Sequence, residues 1–294
     1  MKLLVTGKNG QVGWELARSL APLGEVLATD RQQLDMSRPE TLRPFLEEHR
    51  PDVIVNAAAY TAVDKAEEEE ALATAVNGQS VGELAGWARQ NNALLVHYST
   101  DYVFDGSSSE PYQEGDRTGP INAYGRSKLA GEVALAEANP NYLCLRTSWV
   151  YAARGQNFFL TMLRLAKERE ELSIVGDQLG VPNFAPSLAD ATAELVRLAQ
   201  ARTAEGSFQS GIYHLSGQGS CSWFEFANRI FELARPTMTL ALKSTMAIPT
   251  AAYPTPAKRP KYSVLSNQAL LSDWGIQLPT WQAMLGEAIE SLQA

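Results

Sequence analysis

The 294-residue chain is long for a single domain, and its hydrophobic fraction of 45% and charged fraction of 20% are those of an ordinary globular protein. Its formal net charge of −8 argues against nucleic acid as a partner. No apolar run is long enough to cross a bilayer, no signal peptide precedes MKLLVTG, and two cysteines make no disulfide framework. These features exclude membrane-embedded and disulfide-stabilised classes, and we expect a cytoplasmic protein.

The N-terminal segment has the pattern of a strand, a glycine turn and a helix. The apolar run 2–6 is followed by Gly7, Gly10 and Gly13, and residues 11–21 then show helical periodicity. Glycine lets the backbone turn sharply and approach a phosphate closely, and a helix N-terminus offers free N–H groups. Although G-x-x-G-x-x-G differs from the usual G-x-G-x-x-G fingerprint, we predict a dinucleotide pyrophosphate site here. The alternative is a tight turn without a ligand.

The second predicted strand, 25–29, ends next to Asp30 and Arg31. A carboxylate about twenty residues after the glycines can accept hydrogen bonds from the adenosine ribose hydroxyls. A guanidinium at this point can instead pair with a 2′-phosphate. Because the two side chains favour different cofactors, either NADH or NADPH is expected to be used.

The rest of the first half alternates strands and helices. Strands are predicted at 52–56, 93–99 and 142–147, and helices at 39–49, 68–90 and 122–138. This alternation predicts an α/β fold with a doubly wound, Rossmann-like parallel sheet that has helices on both faces. The acidic run 67–70 is predicted to begin a helix.

The composition changes after about residue 150, where Pro and Gly become denser. Helices are predicted near 156–169, 187–200, 222–234 and 280–292. The segment 211–217 reads as a buried strand that returns to the first sheet. We therefore predict a dinucleotide-binding domain at 1–150, rejoined by about 187–217, and a smaller interleaved substrate-binding cap over most of 151–294.

Two segments follow strand ends, where ligands of doubly wound folds bind. NAAAYTAVDKAE, 56–67, follows the third strand, and its small residues allow close approach of a cofactor. HYSTDYVFDG, 97–106, places Ser99, Thr100 and Asp101 at the end of the fourth strand. A hydroxyl there can donate to a carbonyl oxygen on which negative charge develops, although these residue types are also common in turns.

Tyr124 and Lys128 share one face of the helix predicted at 122–138, because side chains four residues apart lie one turn apart. An ammonium beside a phenol favours the phenolate and lowers the phenol pKa, which makes a proton donor for carbonyl chemistry. Tyr-x-x-x-Lys also occurs on ordinary exposed helices. The interpretation therefore depends on the glycine turn and on Thr100.

The Pro-rich segment 246–265 is predicted to be a loop and carries Lys258, Arg259 and Lys261. An anionic substrate of this acidic protein must find a local cluster of positive groups. The segment is predicted either to clamp substrate phosphates or to form a solvated tether.

The glycine pattern, the strand-end hydroxyl and the Tyr-x-x-x-Lys pair together resemble the extended short-chain dehydrogenase/reductase superfamily. Within it, GKNGQVGWEL, NAAAYTAVDKAE, HYSTDYVFDG, NAYGRSKLAGE, RTSWVY and YPTPAKRP are similar, in order and nearly end to end, to the dTDP-4-dehydrorhamnose reductase family. The resemblance implies NAD(P)H-dependent reduction of the C4 ketone of dTDP-4-dehydro-L-rhamnose to dTDP-L-rhamnose, a step in the synthesis of a nucleotide sugar.

The resemblance also implies a role for each matching position. Tyr124 is the implied general acid, Lys128 binds the nicotinamide ribose and tunes Tyr124, and Thr100 hydrogen-bonds the substrate carbonyl. The implied cofactor-binding residues are Gly7, Gly10, Gln11, Val12, Gly13, Asp30, Arg31, Asp35, Met36, Ala59, Tyr60, Thr61, Tyr98 and Lys128. The implied substrate-binding residues are Thr100, Asp101, Trp149 and Arg259.

Magnesium and a homodimer enter only through the resemblance. Some family members bind Mg²⁺ through surface carboxylates at a dimer contact, and Glu15 and Asp190 are the carboxylates in question here. The sequence shows no cluster with metal-ligand spacing, so we predict no metal site. The oligomeric state stays open.

Two other classes of function stay open from the residues. Epimerases and dehydratases of the same superfamily keep their cofactor bound, and a dehydratase often has Asp-Glu after the strand-end hydroxyl, where this chain has Asp101-Tyr102. A relative of the family is a regulatory subunit of methionine adenosyltransferase, so a non-catalytic binding role is the other alternative. The intact set of Thr100, Tyr124 and Lys128 favours catalysis.

Overall fold

The computed structural model describes residues 1–138 and 140–292. Its strands are β1 (Lys2–Thr6), β2 (Glu25–Thr29), β3 (Val53–Asn56), β4 (Leu94–Thr100), β5 (Asn141–Thr147), β6 (Val150–Tyr151), β7 (Glu171–Val175), β8 (Leu179–Gly180), β9 (Asn183–Phe184), β10 (Gly211–His214), β11 (Cys221–Ser222) and β12 (Ser244–Ile248). Its α-helices are α1 (Gln11–Ser19), α2 (Leu42–His49), α3 (Val63–Ala66), α4 (Glu70–Thr74), α5 (Ser80–Asn91), α6 (Ala123–Ala138), α7 (Phe158–Glu168), α8 (Ala185–Ala204), α9 (Trp223–Ala234), α10 (Gln268–Trp274) and α11 (Trp281–Glu290).

A six-stranded parallel sheet forms the centre of the molecule, in the order β10-β5-β4-β3-β1-β2. The chain passes from β1 outward to β2 and then returns to β3 on the other side, so the order reverses between β1 and β3. Ligands of doubly wound sheets bind outside the carboxyl ends of the strands at such a reversal. The predicted doubly wound, Rossmann-like α/β fold is confirmed.

The central strands are continuous apolar runs because helices cover both faces of the sheet. Every residue of β3 and β4 is buried. One face packs against α1, α7, α8 and the second half of the chain, and the other packs against α2 and α5 around the buried Trp87. The two hydrophobic layers hold the strand ends rigidly beside the cleft described below.

The structure modifies two of the predicted elements. The predicted helix at 68–90 is divided into α4, a π-helical turn at Ala75–Gln79, and α5. The acidic run before it makes tertiary contacts, since Glu67 accepts the Ala123 N–H at 2.8 Å and Glu70 pairs with Arg126 at 2.7 Å. The predicted Pro-rich loop at 246–265 begins inside β12, which pairs with β7.

The second half of the chain contributes to the central sheet. Strand β10 pairs in parallel with β5, with Tyr213 opposite Leu145. The division into a dinucleotide-binding domain and a substrate-binding cap stays a prediction. Within the described ranges, no helix is both long enough and apolar enough to cross a membrane.

Candidate active site

A cleft of about 610 Å³ lies at the carboxyl ends of β1, β3 and β4. Of the predicted cofactor-binding residues, those that line it are Gly7, Gly10, Gln11, Val12, Asp30, Arg31, Asp35, Met36, Ala59, Tyr60, Thr61, Tyr98 and Lys128. The predicted acid Tyr124 lines the same cleft. The structure therefore brings together residues that are far apart in the sequence, such as Gly7 and Lys128, which are separated by 121 positions.

The glycine turn leaves no room for side chains. Gly7 has a φ of +76°, and a Cβ on it would lie 2.9 Å from the Ala58 Cα. A Cβ on Gly13 would lie 2.1 Å from the Gly7 carbonyl oxygen. Gly10 precedes α1 and no side chain caps this helix, so its first N–H groups are left for another acceptor. Such a cradle of backbone donors suits a pyrophosphate, although Gly13 itself supports the turn and does not line the cleft.

The end of β2 carries the charges expected at an adenosine ribose. The Asp30 carboxylate lies 3.3 Å from the Lys8 ammonium and accepts the Gln32 N–H at 3.0 Å. The Arg31 side chain is 76% exposed and lies 3.4 Å from Asp35. The carboxylate is thus fixed by short local contacts, while the exposed guanidinium makes only long contacts, at 3.4 Å, with Asp35 and Ser37. Lys8 is a member of this site that the sequence analysis missed.

Tyr124 lies beside Thr100 at the end of β4. The Thr100 side chain lies near enough to the Tyr124 phenol to lower the pKa of that phenol. The Thr100 hydroxyl donates to Asp101 Oδ1 at 3.0 Å. Burial raises the Tyr124 pKa to about 12, with Thr100 offsetting part of this and the Asp101 charge adding to it. The phenol is therefore neutral at working pH, as a proton donor must be.

Lys128 is 2% exposed and points towards β4. Its ammonium donates to the Tyr98 carbonyl oxygen at 2.5 Å and lies 3.3 Å from His97 Nε2. Burial lowers the Lys128 pKa to about 8, against the opposing effects of Cys144 and Glu132. The expectation that Lys128 lowers the Tyr124 pKa is not met, because burial dominates at the phenol and the ammonium is engaged with β4.

A buried ion pair behind the site was missed by the sequence analysis. Arg146 of β5 binds Glu132 of α6 at 2.7 and 2.9 Å, and both side chains are 3% exposed. Ser99 donates to Glu132 at 2.5 Å. This network joins α6 to the strand that carries Thr100. No local sequence pattern predicts the Glu132–Arg146 pair, because residues 14 positions apart come into contact only when the helix packs on the sheet.

Asn122 was also missed, although a recognisable signal was present. An Asn at the start of a predicted helix is typical of an N-cap. Its side chain accepts the Gly125 N–H at 2.7 Å and donates to the Lys258 carbonyl oxygen at 2.8 Å. It therefore fixes the start of α6, two residues before Tyr124, and connects it to the Pro-rich segment.

Trp149 lies just after β5 and is only partly buried. Its backbone has a φ of +44°, which is unusual for a bulky residue, and its ring stacks on Trp223 with centroids 3.5 Å apart. A Cβ on Gly180 would lie 2.5 Å from the Trp149 ring. Two other segments of the chain thus hold the indole in place. A strained backbone supported in this way often marks a functional position.

Arg259 is held by an acidic partner. Its guanidinium forms two hydrogen bonds with Asp64, at 3.0 and 2.8 Å, and also donates to the Ala257 carbonyl oxygen at 3.1 Å. The Arg259 side chain is 22% exposed. The structure therefore shows this residue as a tether between the Pro-rich segment and α3, and its contact with a substrate phosphate stays a prediction.

The two carboxylates considered as magnesium ligands both form ion pairs with an arginine side chain of the same chain. Arg18 contacts Glu15 at 3.2 Å and Asp190 at 2.8 Å. Among residues 1–138 and 140–292, no group of three or more His, Cys, Asp or Glu side chains is placed to hold a metal ion.

Three further features of the cleft fit a nicotinamide cofactor. The Thr147 hydroxyl is buried without a hydrogen-bond partner, and Thr147 lines the cleft beside Thr100. The middle of the cleft is rigid, because Asn77 accepts the Tyr60 N–H at 2.8 Å and donates to Ser127 at 2.9 Å. The Tyr98 hydroxyl forms a hydrogen bond with the Thr192 hydroxyl at 2.6 Å, so a ligand in the cleft can contact only the Tyr98 ring.

Comparisons with known proteins agree with this geometry. The model of the RmlD substrate binding domain matches residues 1–294. The chain is 54% identical over 295 residues to the dTDP-4-dehydrorhamnose reductase of Burkholderia thailandensis, covering 99% of both chains. The crystal structure of a dTDP-4-dehydrorhamnose reductase from Clostridium acetobutylicum has a TM-score of 0.89 at 40% identity and covers 100% of both chains.

A Bacillus anthracis dTDP-4-dehydrorhamnose reductase in complex with NADP has a TM-score of 0.86 at 37% identity over 99% of both chains. The similarity extends over the full length and includes the glycine turn, the strand ends and α6. The chain therefore belongs to the family that the RmlD substrate binding domain model defines, together with the dTDP-4-dehydrorhamnose reductases of these bacteria.

Proposed function

We propose that the protein reduces the C4 ketone of dTDP-4-dehydro-L-rhamnose to dTDP-L-rhamnose, with NADPH or NADH as the reductant. The observation that carries the proposal is that Tyr124 and Lys128 line one wall of a cleft whose other end is a glycine turn, with Thr100 next to Tyr124. The family relationship supports the substrate class, since the relatives at 54% and 40% identity are named dTDP-4-dehydrorhamnose reductases.

The nicotinamide cofactor supplies the hydride when it is bound. The neutral Tyr124 phenol gives its proton to the oxygen that was the ketone, and Thr100 fixes the phenol at the end of β4. The Lys128 ammonium provides positive charge beside the cofactor trough. General acid catalysis of this kind typically accelerates a reaction by about 10²–10⁴-fold, and positioning contributes more.

The direct test uses purified protein, the keto-sugar nucleotide and either reduced cofactor, with absorbance followed at the nicotinamide band. One reduced cofactor consumed for each sugar converted is the expected result. A catalytic trace of cofactor that supports complete conversion without net absorbance loss indicates an epimerase or dehydratase. Cofactor and sugar binding without either reaction indicates a binding subunit, and both outcomes contradict the proposal.

A further inference from the structure

The loop between β6 and α7 forms part of the cleft, and we call its residues 152–156 the wall segment. Within it, Gly155 and Gln156 are exposed and line the same cleft as Gly10 and Gln11. A Cβ on Gly155 would lie 3.8 Å from Gln11 Cγ, so the loop lies against the Gln11 side chain. The wall segment and the start of α1 therefore border one stretch of the cofactor trough.

Asn157 joins the wall segment to α1 through its side-chain amide. Its Nδ2 atom donates to Gln11 Oε1 at 2.8 Å, to the Ala152 carbonyl oxygen at 2.9 Å and to the Arg154 carbonyl oxygen at 3.1 Å. The two hydrogens of this nitrogen are thus shared among three acceptors. The Gln11 amide also donates to the Val150 carbonyl oxygen at 3.4 Å. Both ends of the Gln11 amide therefore have partners in the second half of the chain, and its main-chain N–H is what the residue offers to a ligand.

The oxygen of the Asn157 side chain has a different partner. This Oδ1 atom accepts the Leu160 N–H at 2.9 Å, which makes Asn157 the N-cap of α7. The cap uses the oxygen and the bridge to Gln11 uses the nitrogen, so a substitution can separate the two functions. Serine at this position keeps a cap of similar strength but has no amide nitrogen for the bridge.

A second contact packs the wall segment on α1. The Arg154 guanidinium carbon lies 3.8 Å from the centre of the Trp14 ring, and Trp14 is 53% exposed. A cation above an aromatic ring is attracted without a fixed donor and acceptor geometry. The hydrogen bonds of Asn157, in contrast, join particular atoms of the loop and of Gln11, so we assign the positioning to Asn157.

We propose that Asn157 is a positioning residue for the cofactor, because its Nδ2 atom holds the wall segment and the Gln11 side chain together at the start of α1. This rests on the proposed function only in that NADPH or NADH occupies the cleft. Without the bridge, the wall segment has to be ordered when the cofactor binds, and this loss of conformational freedom weakens binding. The start of α1 is the pyrophosphate end of the cleft, and the two cofactors share that group, so both should be affected alike.

The test is the variant Asn157→Ser, with NADPH and NADH titrated separately by fluorescence and the stability measured by urea denaturation. We expect the Kd of each cofactor to rise by about tenfold. The kcat at saturating substrates should stay near that of wild type, because Asn157 acts on the cofactor through Gln11 and the wall segment. The urea midpoint should change little, since the cap is kept. An unchanged Kd for either cofactor overturns the proposal.

A control pair separates the loss of a helix cap from the loss of the bridge. Asn157→Ala removes both, whereas Thr280→Ala removes only the cap of α11, in which the Thr280 hydroxyl accepts the Ala283 N–H at 3.3 Å. Both variants should lower the urea midpoint, but only Asn157→Ala should raise the two Kd values. A similar rise in Thr280→Ala would assign the effect to general destabilisation and contradict the proposal.

A double-mutant cycle tests whether Asn157 acts through Gln11. Gln11→Ala also breaks the bridge, so its combination with Asn157→Ser should weaken NADPH binding by less than the product of the two single effects. A combined effect equal to that product contradicts the bridge.

The titrations contain no sugar, so they are independent of the reaction. If wild-type protein binds both cofactors but reduces no keto-sugar, the proposed function fails and this inference stands. If wild-type protein reduces the sugar and Asn157→Ser binds both cofactors as tightly as wild type does, only this inference fails. Wild-type protein that binds neither cofactor would contradict both.

Discussion

The Lys128 ammonium donates a 2.5 Å hydrogen bond to the Tyr98 carbonyl oxygen, and its second partner, His97 Nε2 at 3.3 Å, also lies on β4. Burial and the Lys128 charge lower the His97 pKa well below its ordinary value, so the imidazole is neutral and can accept from the ammonium. The Asn56 amide lies 3.0 Å from the other ring nitrogen of His97. A chain of buried polar contacts thus connects the helix that carries Tyr124 to the strand that ends at Thr100.

The first prediction concerns the pH dependence that follows from this contact. The Lys128 pKa is lowered to about 8, so the residue is a cation below that pH and loses its proton as pH rises through it. If the charge is needed for the reaction, kcat/KM should fall with rising pH from about 8. Measurement of kcat/KM across this range, with circular dichroism to verify that the fold persists, checks the expectation. A flat profile through pH 8 contradicts it.

The second prediction concerns the phenol itself. Tyr124→Phe should reduce kcat by about 10²–10⁴-fold because the proton donor is lost, while the affinity for NADPH should change little. Tyr102→Phe is a matched control. The Tyr102 ring packs edge-on against Tyr124, with centroids 5.8 Å apart, but its hydroxyl has no role in the proposed proton transfer. Steady-state kinetics and fluorescence titration with NADPH provide the two measurements. Near wild-type turnover in Tyr124→Phe would refute the assignment.

The third prediction compares two glycines, one with no space for a side chain and one with open space at its Cβ position. Gly13→Ala places a methyl group 2.1 Å from the Gly7 carbonyl oxygen, so the turn must open. We expect a loss of about 1–3 kcal/mol in the free energy of unfolding and a marked loss of cofactor affinity. Gly86→Ala is the control, since nothing lies within 4 Å of its Cβ position in α5.

In Gly86→Ala we expect a gain of about 0.5–1 kcal/mol, because alanine is the better helix former, with unchanged cofactor binding. Urea denaturation and NADPH titration of both variants separate the two effects. Unchanged NADPH affinity in Gly13→Ala indicates that the turn does not hold the pyrophosphate.

The fourth prediction concerns the choice between the two cofactors. Asp30 is fixed by Lys8 and by backbone N–H groups, whereas Arg31 is exposed and makes only long contacts, with Asp35 and with Ser37 at 3.4 Å each. Arg31→Ala should raise the KM for NADPH and leave that for NADH nearly unchanged, because only NADPH carries a 2′-phosphate. Asp30→Ala should raise the KM for NADH more than that for NADPH. Equal changes for both cofactors in Arg31→Ala would show that the guanidinium does not discriminate.

The sequence predicts those parts of the molecule that depend on local pattern. The strands of the central sheet follow from apolar runs, and the place of Thr100 follows from its position at the end of one of them. The sequence predicts that Tyr124 and Lys128 share one helix, as they do in α6, but it does not predict their partners. Lys128 binds β4 only because α6 lies across that strand.

The remaining features depend on contacts between distant segments. The Glu132–Arg146 pair is formed by residues on a helix and a strand, and neither is marked by its neighbours in the sequence. The unusual backbone of Trp149 is supported by Trp223 and by the missing side chain of Gly180, which come from two other segments of the chain. Such features arise from packing, for which a single sequence has no periodic signal.

The fifth prediction separates the two roles open to Arg259. Arg259 and Asp64 are 195 residues apart and form a bidentate pair, so either partner can tether the Pro-rich segment. If Arg259 also binds a substrate phosphate, Arg259→Ala should raise the KM for the sugar nucleotide by about tenfold, which corresponds to about 1.4 kcal/mol. Asp64→Asn keeps the guanidinium but weakens the tether, so its KM should rise less. Initial-rate kinetics at saturating NADPH measure both values. Equal increases in the two variants would assign Arg259 to the tether alone, because the loss of either charge would then have the same consequence.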